Sequence, residues 1–80
     1  MNDILIFQKI ERIFFKIINT KINLSSNMKN TKKWDSLNHV KIILAVEKEF
    51  KIKFALSEFN DLNNVKNLKK LIQKRLNYIN

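Results

Sequence analysis

The chain of 80 residues carries 16 lysine and arginine residues against seven aspartate and glutamate residues, which gives a formal charge of +9. Its length predicts one domain over residues 1–80 that can bury only about 60% of its unfolded surface, which favours a small helical bundle. The absence of cysteine, the single histidine and the lack of any apolar run of roughly 18 residues exclude disulfides, most metal sites built from cysteine or histidine, and a transmembrane helix.

The positive charge allows two interpretations. On physical grounds it predicts attraction to nucleic acid, to an acidic membrane surface or to an acidic protein. The chain is also rich in Lys, Asn and Ile, with two Arg and neither Gly nor Pro, which is the composition that an AT-rich coding sequence favours. Both interpretations stay open at this point.

Residues 3–19 are predicted to form the first helix, with Asn2 or Asp3 as its N-cap. Its apolar residues recur at the three-to-four spacing of one helix face: Phe7, Ile10, Phe14 and Ile17, widened by Ile6, Ile13 and Ile18. We interpret this face as core, since the other helices need a surface to pack on; the alternative is a membrane-surface helix. Asp3 and Glu11 make the stretch unlike a signal peptide, so we expect a cytoplasmic protein.

Residues 20–34 are rich in Asn, Ser, Thr and Lys and predict a long loop. Three apolar residues are expected to pin this loop to the helices: Ile22, Leu24 and Met28. Trp34 ends the loop, and a lone large aromatic residue in a small domain is expected to lie in the core. Three lysines come shortly before the next helix, and we interpret them as solvated: Lys29, Lys32 and Lys33.

The pair Asp35-Ser36 is typical of a helix start, because a short side-chain oxygen can accept a hydrogen bond from an unpaired backbone N–H. The second helix is predicted over residues 36–49. Its apolar residues are interpreted as one helix face, at the positions of Leu37, Val40, Ile43 or Leu44, and Glu47 or Phe50. This arrangement places the Ser36 hydroxyl at the N-terminal tip of an amphipathic helix near the middle of the chain.

The segment after the second helix alternates lysine with apolar residues, which predicts an extended connector over residues 51–54. Residues 57–61 then predict one short helical turn capped by Ser57, with Phe59 and Leu62 pointing inward.

Residues 65–76 predict the last helix, capped by the Asn63-Asn64 pair. Its apolar face consists of Val65, Leu68, Leu71 or Ile72, and Leu76. Its outer side is basic, with Lys66, Lys69, Lys70, Lys74 and Arg75. Residues 77–80 are expected to fray.

The run Asp35-Ser36-Leu37 is followed at fixed distances by Val40, Leu44, Glu47, Glu49-Phe50 and Ile52. This pattern resembles the acyl carrier proteins, which are phosphopantetheine-carrying domains. Trp34 and His39 are similar to those of a subset of free-standing carriers outside the main fatty-acid pathway, and residues 62–68 resemble the start of the family's last helix. In the family, the segment after the second helix is a loop whose apolar residues pack into the bundle, and the resemblance implies that role for Ile52 and Phe54. The resemblance implies an all-α, four-helix acyl-carrier-like bundle, with three longer helices, one short helix and a long loop between the first two.

The resemblance also implies a function for Ser36. In the family, the serine at this position carries 4′-phosphopantetheine, which a carrier-protein synthase (a phosphopantetheinyl transferase) moves from coenzyme A with Mg²⁺ held by the synthase. The arm ends in a thiol that holds acyl groups as thioesters for acyl-loading and acyl-transferring enzymes. We therefore expect a monomeric carrier, not an enzyme, in a specialised lipid, fatty acid or secondary biosynthetic pathway.

The residues near Ser36 agree with a modified serine. A helix N-terminus favours a phosphate group, and the three loop lysines could lie near it. His39 lies one turn away and is offset from the tip, so Ser36 has no adjacent base, and we predict no catalytic residue and no metal ligand. The alternatives are that Asp35-Ser36 is only a helix cap and that His39 is a partly exposed residue on the helix face.

We expect the synthase and partner enzymes to contact Asp35, Leu37, Lys41 and Glu47. Partners in the family usually bind acidic residues of the second helix through basic patches. Glu47 and Glu49 are acidic here, but Lys41 and Lys48 stand at positions that are commonly acidic, and Lys51 stands where Gly is frequent. These differences predict weak docking to general fatty-acid enzymes, and hence dedicated partners.

Two other functions compete with the carrier hypothesis. The first is a small basic helical protein that binds nucleic acid through the lysines of the loop and the last helix. The chain lacks the arginine- and aromatic-rich surface that base readout uses, so we expect no nucleic-acid partner. The second is a structural or partner-binding bundle in which Ser36 has no role beyond the helix cap.

Overall fold

The helices of this chain follow one another in the predicted order. The computed structural model describes residues 2–79, with the side chains of residues 2–77. The elements are α1 (Asp3–Ile18), α2 (Ser36–Phe50), a short 3₁₀ helix (Leu56–Leu62) and α3 (Val65–Ile79). The predicted all-α fold of three longer helices and one short helix is confirmed. None of the helices within residues 2–79 combines the length and apolar character that crossing a bilayer requires.

Short polar side chains determine where the three α-helices begin. The Oδ1 atoms of Asn2, Asp35 and Asn64 each accept the backbone N–H three residues further on, at 2.8, 2.9 and 2.8 Å. This is the N-cap hydrogen bond, and replacing such a residue by alanine costs about 1 kcal/mol. The predicted starts of all three helices are therefore confirmed.

The 3₁₀ helix begins differently from the prediction. Ser57 was predicted to cap it, but the helix starts one residue earlier, at Leu56, and Ser57 lies exposed within it. The carboxylate of Glu58 reaches back and accepts the N–H of Ala55 at 2.7 Å. The start of the 3₁₀ helix is therefore held by a glutamate that accepts the N–H of the residue before it, and not by a serine cap.

Three helix ends also differ from the prediction. Asn19 has a left-handed φ of 53° and ends α1 one residue early, while Lys51 has a φ of 56° and ends α2 one residue late. Asparagine adopts this conformation more readily than lysine does, because its short polar side chain can hydrogen-bond locally. The helix α3 continues through residues 77–79, so their predicted fraying is wrong, and Asn80 lies outside the described residues.

One apolar core joins the four helices, the long loop and the connector. Its buried side chains are Ile6, Ile10, Phe14, Ile18, Ile22, Trp34, Ile42, Ile43, Val46, Phe50, Ile52, Phe54, Leu62, Val65, Leu68 and Ile72. The predicted core positions of Trp34, Ile52 and Phe54 are confirmed, and the whole predicted face of α1 packs into or against this core. Leu24 was predicted to pin the loop, but it is 50% exposed.

The predicted apolar face of α2 is wrong in part. The face that packs into the core consists of His39, Ile42, Ile43, Val46 and Phe50. Leu37, Val40 and Leu44 lie on the outside, at 67%, 43% and 56% exposure. Apolar residues surround more than half of this helix, so their spacing alone does not select the buried face, whereas packing against α1 does.

Backbone hydrogen bonds tie the long loop to the start of α3. The N–H of Met28 donates to the carbonyl of Asn63, and the N–H of Val65 donates to the carbonyl of Ser26, both at 3.0 Å. Ser26 itself is buried. These contacts hold the middle of the loop in place, so its last residues approach α2 from a fixed position.

Candidate functional site

The exposed side chain of Ser36 stands on the first residue of α2. Asp35 caps the helix, because its carboxylate accepts the N–H of Asn38 at 2.9 Å and its carbonyl accepts the N–H of His39 at 2.8 Å. Helix geometry leaves the N–H groups of Ser36 and Leu37 without an intrahelical partner. The tip thus combines an accessible hydroxyl with backbone donors at the positive end of a 15-residue helix.

Asn38 holds the loop immediately before the serine. Its side-chain amide donates to the carbonyl of Lys33 at 2.8 Å, and Lys33 has a left-handed φ of 72°. That conformation costs roughly 1–2 kcal/mol for a residue with a Cβ atom, so the hydrogen bond helps to maintain it. Sequence reasoning missed Asn38, although an amide side chain three residues after a helix cap was the available signal.

A buried hydrogen-bonded chain lies beneath the tip and corrects the interpretation of His39. The histidine was expected to be partly exposed, but it is only 8% exposed. The indole Nε1–H of Trp34 donates to Nδ1 of His39 at 3.0 Å, and Nε2 of His39 lies 3.0 Å from the carbonyl oxygen of Phe59. A neutral ring that accepts at Nδ1 carries its proton on Nε2 and donates it there. Both ring nitrogens are therefore engaged, and neither faces the Ser36 hydroxyl as a base.

This chain of contacts connects three parts of the fold. Trp34 belongs to the loop, His39 to α2 and Phe59 to the 3₁₀ helix. Trp34 also packs edge-on against Phe14 of α1, with ring centroids 4.7 Å apart and an interplanar angle of 78°. These contacts hold the N-terminal end of α2, close to Ser36, against the loop, α1 and the 3₁₀ helix.

The outer side of α2 carries an exposed apolar ridge that begins at the tip. We define the outer ridge as Leu37, Val40 and Leu44. Residues four apart share one side of a helix, so Ser36, Val40 and Leu44 form one row. Two exposed lysines continue the same pattern, since Lys41 lies four residues after Leu37 and Lys48 lies four residues after Leu44.

The acidic residues of α2 are occupied within the fold. Glu47 is partly buried and accepts the N–H of Phe54 at 2.9 Å, so it anchors the connector. Glu49 forms an ion pair with Lys9 of α1 at 2.8 Å. The hydrogen bond and charge of Lys9, together with the more distant charge of Arg12, hold the pKa of Glu49 below its ordinary value despite some desolvation.

The predicted site residues do not all lie together. Asp35, Ser36 and Leu37 form the tip, and Lys41 lies about one turn further along the exposed side. Glu47 lies eleven residues after Ser36, which is roughly 16 Å along the helix axis. The structure therefore places Asp35 and Leu37 beside Ser36, Lys41 about one turn further along α2, and Glu47 at the far end of the helix.

The loop lysines lie exposed on the approach to the tip. They are Lys29, Lys32 and Lys33. This exposure agrees with the interpretation of a solvated stretch, and their charges add positive potential close to Ser36.

No protein-family model matches this chain, and no curated protein is significantly similar to it. The resemblance to the acyl carrier proteins therefore depends on the residues quoted above and on the fold that holds them.

Proposed function

We propose that this chain is a carrier protein and that Ser36 is the attachment site for 4′-phosphopantetheine. The observation that supports this proposal most directly is the tip of α2, where an exposed serine follows a capping aspartate and starts the exposed outer ridge. A serine that served only as a helix cap would use its oxygen for the first backbone N–H groups, and here Asp35 performs that task.

The tip suits a phosphodiester on the serine oxygen. The N–H groups of Ser36 and Leu37 and the helix dipole favour a negative group at this position by roughly 0.3–1 kcal/mol. Ser36 has no base of its own, because both nitrogens of His39 are hydrogen-bonded elsewhere. In this proposal the serine oxygen would bond to the phosphorus next to the pantetheine, the pyrophosphate bond of coenzyme A would break, and its adenosine bisphosphate portion would leave. The synthase would accept the hydroxyl proton and supply Mg²⁺, and the chain supplies an accessible acceptor.

The attached arm would end in a thiol that holds acyl groups as thioesters. The chain would then present these groups to acyl-loading and acyl-transferring enzymes and would not itself be an enzyme. Lys41 and Lys48 stand where general carriers are acidic, which supports a specialised lipid or secondary biosynthetic pathway with dedicated enzymes.

Intact mass spectrometry tests this proposal. The parent chain, Ser36→Ala and Ser57→Ala are each incubated with coenzyme A, Mg²⁺ and a broad-specificity carrier-protein synthase. Ser57 is the matched control, because it is also an exposed serine near the start of a helix. We expect the parent and Ser57→Ala to gain the mass of one phosphopantetheine and Ser36→Ala to gain nothing. A gain that persists in Ser36→Ala, or no gain with several synthases, would refute the proposal.

The basic face of α3 supports nucleic-acid binding as a second candidate function. Lys66, Lys69 and Lys70 line a shallow cleft with Leu24 and Ser25 of the long loop. A single strand of DNA bound there would lose affinity as salt rises, and the loss would not depend on Ser36. Binding that Ser36→Ala leaves unchanged and that charge reversal on α3 abolishes would favour this candidate.

A further inference from the structure

The charge around the outer ridge is opposite in sign to that expected from the resemblance. Lys41 and Lys48 are exposed beside the ridge, and Lys51 caps the same helix at its far end. Arg12 and Lys16 of α1 share a groove with Lys48 and Glu49, in which three cations face one carboxylate.

The glutamates of α2 offset these cations only in part, because each already has a partner within the fold. Glu47 is committed to the N–H of Phe54, and Glu49 is committed to Lys9. A protein that approaches Leu37, Val40 and Leu44 therefore meets an apolar strip bordered by positive charge.

We infer that the enzymes served by this chain dock on the outer ridge through an acidic surface with an apolar centre. This inference rests on the proposed carrier function, because Ser36 adjoins the ridge and a docked enzyme would have its active site close to the attached arm. Opposite charges accelerate association and exclude wrong partners, whereas the basic surfaces of general carrier partners would be repelled. The acidic surface is thus the feature that selects dedicated partners.

Two other occupants fit the ridge less well. The ridge spans roughly 10 Å from Leu37 to Leu44 and is aliphatic, whereas helices that lie in a lipid surface present a longer apolar face, often with aromatic residues. Ser36 lies in the same row as Val40 and Leu44, so a lipid surface on the ridge would cover the serine. A second copy of the chain would bring lysines against lysines.

Amide chemical-shift mapping on the ¹⁵N-labelled Ser36→Ala chain tests the inference. The probes are two synthetic amphipathic helical peptides with the same leucine face, one flanked by glutamate and one by lysine, together with vesicles of phosphatidylcholine and phosphatidylserine. Docking is then measured in Lys41→Glu/Lys48→Glu and in the control Lys66→Glu/Lys70→Glu. Each double substitution removes four units of charge from a total of +9, and the control pair is exposed on α3.

We expect the glutamate-flanked peptide to shift the amide signals of residues 37–48. Its dissociation constant should rise about tenfold in Lys41→Glu/Lys48→Glu and less than about twofold in the control pair, because local charge on the docking face matters more than total charge. The lysine-flanked peptide should not bind, and added salt should weaken the glutamate-flanked complex.

Several results would overturn the inference. They are no binding of the glutamate-flanked peptide, shifts centred on α3, equal losses in both double variants, or binding of the vesicles alone. The Ser36→Ala chain cannot carry the arm, so failure here is separate from failure of the mass measurement. Docking of Ser36→Ala on the ridge, combined with no gain of mass by the parent chain in the synthase experiment, would instead refute the carrier proposal.

Discussion

The hydrogen-bonded chain through His39 should be a main source of stability near the tip of α2. We expect His39→Leu, which preserves most of the side-chain volume, to lower the free energy of unfolding by about 2–4 kcal/mol. The substitution leaves the buried indole N–H of Trp34 without a partner, which costs about 1–3 kcal/mol. The carbonyl of Phe59 also loses its donor, but it lies in partly exposed surroundings, and water can replace part of that bond.

This loss is large for a domain of this size. Native stability is about 0.05–0.15 kcal/mol per residue, or roughly 4–12 kcal/mol for this chain. A loss of 2–4 kcal/mol should lower Tm by roughly 10–25 °C. Urea unfolding followed by far-UV circular dichroism measures the change and avoids dependence on the fluorescence of Trp34.

A double-mutant cycle with Trp34→Phe isolates the interaction. Trp34→Phe removes the indole donor and keeps an aromatic ring against Phe14. If the hydrogen bond between Trp34 and His39 contributes as argued, the two substitutions should be non-additive by about 1 kcal/mol or more. A change under about 0.5 kcal/mol in His39→Leu, or strictly additive effects in the cycle, would refute the reasoning.

Further predictions concern a helix cap, a strained residue and an acidic group. Asp35→Ala should lower the free energy of unfolding by about 1 kcal/mol, whereas Ser36→Ala should change it by less than about 0.5 kcal/mol; the reverse order in urea unfolding would identify Ser36 as the cap. Lys51→Gly should raise the free energy of unfolding by about 0.5–1 kcal/mol. Glycine removes the strain of a left-handed residue, about 1–2 kcal/mol, at an entropic cost of roughly half that amount. Thermal unfolding measures the gain. The hydrogen bond from Arg75 and a backbone N–H hold the pKa of Glu58 below its ordinary value of 4.5. A carboxyl group whose pKa is lower in the folded than in the unfolded state stabilises the fold at pH values above the unfolded pKa, and this stability is lost as pH falls through the folded pKa. Arg75→Met should therefore have a lower free energy of unfolding than the parent near neutral pH. That free energy should also fall less than the parent's between about pH 5 and pH 3.

Local sequence signals predicted the fold well where one residue determines one feature. Asn2 and Asn64 cap helices because their side chains lie three residues before a backbone N–H that has no other partner. The connector was predicted from the alternation at Ile52 and Phe54, and both side chains are buried. Such features require no knowledge of the distant parts of the chain.

The predictions that failed depend on contacts between distant residues. Leu37, Val40 and Leu44 have the spacing of a buried face, yet the core selects the neighbouring face that contains Ile42 and Val46. His39 is buried because Trp34 supplies a donor and the 3₁₀ helix supplies an acceptor. Periodicity describes which residues share a face, but it does not show what packs against that face.

The charges of the candidate site illustrate the same limit. From the sequence, Glu47 was expected to contact a partner, and nothing indicated that Glu47 and Glu49 have partners within the fold. The ion pair between Glu49 and Lys9 joins residues forty positions apart, and no local pattern indicates it. The hydrogen bond from Asn38 to the carbonyl of Lys33 was not predicted for a related reason. The backbone at Lys33 is left-handed, but a lysine, unlike a glycine, does not indicate that conformation in the sequence.

The distribution of acidic side chains explains how so basic a chain keeps its fold. Within the part of the chain that the structure describes, five of the seven acidic residues make ion pairs or hydrogen bonds: Asp3, Asp35, Glu47, Glu49 and Glu58. An AT-rich coding bias favours lysine codons, but lysine would be selected against at these positions, because each replacement would break a contact. The remaining surface can become basic with little loss of stability. Whatever the origin of the lysines beside the outer ridge, a partner must then compensate for their charge, and an acidic docking surface is the direct physical way to do so.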